Sequence, residues 1–89
     1  MGTLLIGYDL DKPGQNYESL FVAIKTLGEW WHYLDSTWLV ATNRTVTQVR
    51  DVLRPHIDVN DRLLVYDVSG RASAWAGFDT KGAQWLRTH

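Results

Sequence analysis

The sequence predicts an α+β domain with the order strand, helix, strand, strand, helix, strand. Two helical segments with one apolar stripe each separate β-rich segments, and only Asp35 and Ser36 separate the second strand from the third. This order is that of the ferredoxin-like βαββαβ sandwich. Right-handed crossovers would place both helices on one face of an antiparallel sheet with the strand order four, one, three, two.

The first strand is predicted over Thr3 to Tyr8, where an apolar run without clean alternation indicates a central strand. The first helix follows, with Asn16 as its candidate N-cap and Gly28 as its C-terminal stop. Its apolar side chains recur at helical spacing. They are Tyr17, Leu20, Phe21, Ile24 and Leu27.

The segments "WWHYL" and "TWLVAT" predict an antiparallel hairpin around the Asp35-Ser36 turn. The second helix is predicted from the capping-box spacing of Thr45 and Gln48, and Pro55 ends it. Its apolar stripe consists of Val46, Val49 and Leu53.

The fourth strand is predicted over Arg62 to Val68, with the apolar run "LLVYDV". The segment "ASAWAGF", residues 72–78, is interpreted as a short fifth strand. We therefore expect a ferredoxin-like domain over residues 1–78 and a C-terminal tail over residues 79–89. A short helix in this tail would be weakened by Gly82.

The composition excludes several classes of protein. The chain of 89 residues has no cysteine, so neither disulfides nor thiolate metal sites are expected. Its net charge of −1 gives no overall attraction to nucleic acid or membrane. The absence of a P-loop and a GxGxxG motif removes the simplest nucleotide-binding interpretations, and no small-molecule cofactor is apparent. Without a signal or membrane segment at the N-terminus, we expect a cytoplasmic protein.

Asp9 is the main candidate site residue because it ends the first strand. In the predicted topology the same end of the sheet receives Asp35, Ser36 and Asp61, whereas Asp67 belongs to the opposite end. Mg²⁺ commonly binds through one or two carboxylates, so Asp9 and its symmetry mate in a homodimer would suffice. The alternative is ordinary turn chemistry, since the strand runs into Asp11 and a Pro-Gly pair.

Two further features suggest partners. Arg50 and Arg54 on the second helix, with Arg44 just before it, form a small basic stripe. This stripe would either contact phosphate or be a solvated helix face. The sheet face away from the helices is expected to be open. In a chain with five Trp, we expect a second copy to bury that face, giving a homodimer.

The stretches "LLIGYDL", "AIKTLGEWWHYLDSTWLVAT", "DRLLVYDVSG" and "AWAGF" together resemble a group of short bacterial proteins labelled the SinR family. This group is similar to the small CRISPR-associated proteins of the spacer-acquisition complex. It is more distantly similar to the virulence-associated D toxins. The likeness to the SinR-labelled group extends over most of the chain.

The resemblance implies a ferredoxin-like homodimer that closes through the open sheet face and swapped C-terminal strands. It also implies a metal-dependent endonuclease acting on RNA or DNA, with Asp9 as the metal ligand and Ser36 as a second catalytic residue. Other proteins of the wider family are non-catalytic DNA-binding scaffolds, so a scaffold or adaptor is the alternative function. The chain departs from the family in two respects. The stretch "GQNYESLF" lacks the arginine cluster that usually opens the first helix, and the segment from Gly28 to Ser36 is longer than the family's usual spacing and contains an aromatic pair.

Overall fold

The computed structural model describes residues 1–11 and 17–89, and it has an α+β fold. In chain order the elements are β1 (Gly2–Asp9), α1 (Glu18–Lys25), β2 (Glu29–Leu34), β3 (Thr37–Thr42), α2 (Val46–Leu53), a short 3-10 helix (Arg54–His56), β4 (Arg62–Asp67) and α3 (Thr80–Thr88). The strands form one antiparallel sheet in the order β2-β3-β1-β4. The predicted strand order is therefore confirmed.

The two faces of the sheet follow from the register of its central strand, β1. Directly opposed residues of an antiparallel pair point to the same face, and successive residues alternate. Ile6 is opposite Trp38 of β3 and Val65 of β4, and these three side chains therefore share one face. Leu5 and Asp9 point to the other face, which we call the second sheet face.

The core lies between the Ile6 face and the helices α1 and α2. Its members are buried or nearly so, and they come from both helices and from β1 and β3. They are Leu4, Ile6, Tyr17, Leu20, Ile24, Leu27, Trp38, Val40, Val49 and Leu53. The helical stripes predicted from the sequence therefore supply the core, as amphipathic helices on a sheet do.

The start of α2 matches the predicted capping box. The Thr45 hydroxyl accepts a 3.1 Å hydrogen bond from the Gln48 amide, and the Gln48 side chain accepts one of 2.9 Å from the Thr45 amide. At the other helix, α1 ends at Lys25, three residues before the predicted stop at Gly28. The predicted N-cap, Asn16, lies outside the described residues.

The prediction of a fifth strand is wrong. Residues 71–78 form no strand; instead the chain turns at Gly70, whose φ is +66°, and leads across the second sheet face to α3. The segment is rich in Ala, Ser and Gly, which are weak strand formers, and it runs over the face rather than along the edge of β4.

The predicted helix in the tail is present as α3, and it packs on the β2 side of the second sheet face. The Trp31 indole N–H donates a 3.1 Å hydrogen bond to the Gly82 carbonyl. At the end of the helix, His89 Nε2 lies 2.8 Å from a Glu29 carboxylate oxygen. The face that was expected to be open is thus half covered by the chain itself.

On this face, α3 leaves β4 uncovered. Two large apolar side chains of β4 remain well exposed there, Leu64 at 55% and Tyr66 at 62%. We call Leu64 and Tyr66 the β4 strip. Of the helices that the structure describes, none has the length and apolar character needed to cross a membrane.

Candidate active site at the Asp9 end of the sheet

Asp9 is the last residue of β1, and its side chain is exposed. Its partner in the register is Arg62, the first residue of β4. A carboxylate and a guanidinium therefore stand opposite each other on the second sheet face, where opposite charges on paired strands attract. This places a negative and a positive group side by side at one accessible end of the sheet.

A small polar cavity of about 120 Å³ lies at this end of the sheet. Asp9, Asp11, Asn60 and Arg62 line it. Three of these residues carry oxygen atoms of the kind that hard cations prefer, and the fourth has the forked donor geometry that suits phosphate. We call these four residues the Asp9 cavity.

Asp61 lies at the predicted end of the sheet, but its carboxylate is buried and has a structural role. One carboxylate oxygen accepts hydrogen bonds from the Asp11 amide at 2.7 Å and from the Tyr17 hydroxyl at 3.0 Å. The other accepts one of 2.8 Å from the Asp58 amide. Asp61 therefore fixes the backbone on both sides of the Asp9 cavity.

The β2–β3 turn also lies at this end, as predicted. The Tyr8 amide donates a 3.1 Å hydrogen bond to the Ser36 carbonyl, so Ser36 is next to the end of β1. The Tyr8 hydroxyl donates to the Asp35 carbonyl at 3.3 Å and accepts from the Trp38 indole at 3.0 Å. Burial raises the pKa of the Tyr8 hydroxyl; its bond from Trp38 opposes this rise and the Asp35 charge adds to it.

His32 is held beside this turn by packing. Its ring stacks on Trp38 with centroids 3.7 Å apart and planes 10° apart, and its Nε2 lies 3.3 Å from the Asp35 carbonyl oxygen. His32 is half-buried, so it is a packed residue of β2.

The predicted basic stripe is not gathered at the Asp9 cavity. Arg44 follows β3, whose end is paired with Gly2, and β1 separates Gly2 from Asp9 by roughly 23 Å at the usual rise per residue. Arg50 forms an exposed ion pair of 3.0 Å with Asp51. Arg54 follows α2 and is exposed. The structure therefore does not bring all three arginines to the Asp9 cavity.

Within the described residues, no three His, Asp or Glu side chains come together as a metal site. The Asp9 cavity nevertheless fits the chemistry of Mg²⁺, which often binds one or two protein carboxylates and takes its other ligands from water and substrate phosphate. Asp9 and Asp11 are the carboxylates available there.

Sequence reasoning missed three members of the cavity. Asp11 was interpreted as a turn residue, and Asn60 and Arg62 were not considered as site residues. The signal for Arg62 was present, because a fourth strand that begins at Arg62 and pairs with β1 must start opposite the end of β1. Asn60 lies in the loop before β4, and a loop has no regular spacing of apolar residues from which its position could be predicted.

Comparison with known protein families finds no matching family, and no solved structure matches the chain.

Proposed function

We propose that the protein is a homodimeric, ferredoxin-like, Mg²⁺-dependent phosphodiesterase that cleaves RNA or DNA at the Asp9 cavity. The observation that supports this proposal is the exposed Asp9 carboxylate opposite Arg62, with Asp11 and Asn60 around the same small cavity. The resemblance to the SinR-labelled and CRISPR-associated proteins suggests the same reaction and the same residue.

Each residue has a role that its chemistry allows. Asp9 would hold Mg²⁺, which when bound polarises a phosphate oxygen and lowers the pKa of a coordinated water. Arg62 would bind a phosphate through paired N–H groups. Ser36, next to the end of β1, would donate a hydrogen bond to a phosphate oxygen.

The arrangement of the second sheet face supports a dimer at this site. Asp9, Leu64 and Tyr66 all point to the second sheet face, which is the face opposite the helices, as the pairing of β1 with β4 shows. A second copy that covers the β4 strip would thus approach the face on which Asp9 lies. In the proposed dimer the Asp9 residues of both copies contribute to one metal site.

The test is cleavage of labelled single-stranded RNA and duplex DNA with Mg²⁺ and with EDTA, using the native protein and Asp9→Asn purified identically. We expect Mg²⁺-dependent cleavage that falls at least about 100-fold in Asp9→Asn, since the replacement removes the ligand charge. Asp67→Asn is the matched control. Asp67 also follows a tyrosine at the end of a strand and is exposed, but it lies at the opposite end of the sheet.

Two results would refute the enzymatic proposal. One is the absence of Mg²⁺-dependent cleavage above the level of a mock purification. The other is equal activity in Asp9→Asn and the native protein, which would indicate a contaminating nuclease.

The second candidate function is a non-catalytic homodimeric scaffold or adaptor. It is favoured by the distance of Arg44 from Asp9, because a basic surface away from the cavity would bind nucleic acid without cleaving it. This function predicts intact nucleic acid and binding that weakens steeply with salt. It also predicts weaker binding in Arg44→Gln, with no effect of Asp9→Asn.

A further inference from the structure

The C-terminal segment encloses a groove on the second sheet face. Two adjoining cavities of about 480 and 230 Å³ lie between the sheet and the segment from Val68 to His89. Four residues line both cavities, so that the two form one continuous groove: Leu5, Leu39, Ser73 and Leu86. The larger volume is within the range of about 300–1,000 Å³ that is typical of small-molecule sites.

The roof of the groove is held by contacts within one chain. Besides the Trp31–Gly82 bond, the Thr3 hydroxyl donates a 3.2 Å hydrogen bond to the His89 carbonyl. The N-terminus of α3 is capped by Asp79, whose carboxylate accepts a 2.8 Å hydrogen bond from the Gly82 amide. Because both ends of α3 are fixed, the groove is part of the fold of a single copy.

The two ends of the groove differ in chemistry. Arg71 and Arg87 line one end, and no Asp or Glu of the described residues lines either cavity. Neither arginine has an ion pair with a described residue; Arg87 lies over the Trp75 ring at 5.9 Å. The other end is apolar and aromatic, with Trp31 and Phe78 in edge-to-face contact at 5.0 Å.

We propose that this groove binds a small amphipathic carboxylate, such as a medium-chain fatty acid. The carboxylate would pair with Arg71 and Arg87, and the apolar tail would extend past Leu5 and Leu86 toward Phe78. Two guanidinium groups without a carboxylate partner supply the charge complementarity, since charge-assisted bonds to a carboxylate are the strong ones. This binding is independent of the phosphodiesterase proposal, because none of these residues belongs to the Asp9 cavity.

The experiment is isothermal titration of the full chain with decanoate below its micelle-forming concentration, alongside decanol as the uncharged analogue. Fluorescence provides a second signal because Trp31, Trp75 and Trp85 line the groove. We expect one decanoate per chain. The double variant Arg71→Gln/Arg87→Gln should bind decanoate at least about tenfold more weakly, a change of about 1.4 kcal/mol. Decanol should bind both proteins equally.

Two further variants separate the groove from general surface effects. Arg50→Gln is the matched control, because Arg50 is on α2 and away from this face. Its decanoate affinity should equal that of the native protein. Ala74→Trp places a large ring at the exposed apolar end and should abolish decanoate binding without changing the melting temperature by more than a few degrees.

Three results would overturn the proposal. The first is the absence of saturable decanoate binding, and the second is equal affinity in the native protein and the double arginine variant. The third comes from sedimentation in the same samples: if decanoate dissociates a dimer, the groove is an interface between copies. A phosphodiesterase assay of the same proteins, run without decanoate, does not depend on binding in the groove, so the two proposals fail separately.

Discussion

The indole Nε1 of Trp31 donates a 3.1 Å hydrogen bond to the carbonyl oxygen of Gly82, and this bond joins α3 to β2. Trp31 is buried, and its ring also contacts Tyr33 and Phe78 at centroid distances of 5.3 and 5.0 Å. Trp31 is thus one of the side chains that attach the C-terminal segment to the sheet, together with Thr3, which bonds to His89.

We predict that Trp31→Phe lowers the free energy of unfolding by about 1–2 kcal/mol, because it leaves the Gly82 carbonyl without its donor and reduces ring contact. Urea unfolding measures the loss in free energy of unfolding. In Trp31→Phe, the backbone amide hydrogens of α3 should exchange faster than those of α2. Trp30→Phe is the control, since Trp30 is 42% exposed. Equal losses for the two variants would contradict a special role for the Trp31 bond.

Gly28 is expected to be intolerant of any side chain. A Cβ atom at this position would overlap the carbonyl oxygen of Ala41, which belongs to the backbone of β3 and cannot move aside as a side chain would. We predict that Gly28→Ala destabilises the protein by more than about 3 kcal/mol or prevents folding. Thermal unfolding followed by circular dichroism measures this effect.

Gly7→Ala provides the comparison for Gly28, because the nearest atom to a Cβ there is a Leu5 methyl carbon at 3.7 Å, an ordinary contact. Alanine in a strand loses less conformational entropy on folding than glycine. The stability of Gly7→Ala should therefore equal or slightly exceed that of the native protein. A large loss at Gly7 with none at Gly28 would be the opposite of this prediction.

Asp61 is expected to be a structural residue rather than a catalytic one. We predict that Asp61→Ala costs at least about 2 kcal/mol, since it leaves the amides of Asp11 and Asp58 and the Tyr17 hydroxyl without their acceptor. Chemical denaturation gives the value. Asp9→Ala is the control and should cost less than about 0.5 kcal/mol because Asp9 is exposed. The interpretation is wrong if the two substitutions cost the same.

The regular elements of this fold could be predicted because their signals are local. The stripe from Tyr17 to Leu27, the Thr45 capping box and the two-residue turn at Asp35 each specify an element within a short window. The order of these elements was then enough to predict the strand order of the sheet.

The path of residues 71–78 could not be predicted because it depends on distant contacts. The aromatic residues Trp75 and Phe78 are of types that favour strands, but a strand also needs a neighbouring edge, and the segment lies over the sheet face. Gly82 weakens an isolated helix, yet here its small size leaves room for the Tyr33 ring, which would be 3.3 Å from an added Cβ. The position of Asp11 also depends on distant contacts. Its place in the sequence before a Pro-Gly pair indicated a turn residue, whereas the fold places it beside Asp9.

The Tyr8 hydroxyl should make stability depend on alkaline pH. Burial raises the pKa of Tyr8 in the folded state above its ordinary value of about 10. Below that pH the hydroxyl is protonated in both states and has no effect. Above it the unfolded state loses the proton first, so stability falls as the pH rises through the folded-state pKa.

Urea unfolding between about pH 8.5 and about pH 11.5, a range around the ordinary tyrosine pKa, tests this dependence. We expect a steeper alkaline loss of stability in the native protein than in Tyr8→Phe. Tyr66→Phe is the control, because Tyr66 is 62% exposed. The same alkaline slope in native protein and Tyr8→Phe would contradict the assignment. Tyr8→Phe also removes the acceptor of the Trp38 indole, but the resulting loss of stability is the same at every pH and does not change the slope.

The β4 strip is expected to mediate self-association. Leu64 and Tyr66 are exposed on β4, which α3 leaves uncovered, and contiguous apolar surface of this kind marks interaction sites. We predict that the native protein sediments as a dimer and that Leu64→Lys/Tyr66→Lys sediments as a monomer, because paired copies would bury four like charges. Val22→Lys is the matched control: Val22 is 53% exposed but lies on α1. A native protein that is monomeric at high concentration, or a double variant that stays dimeric, would show that the second copy does not use this strip.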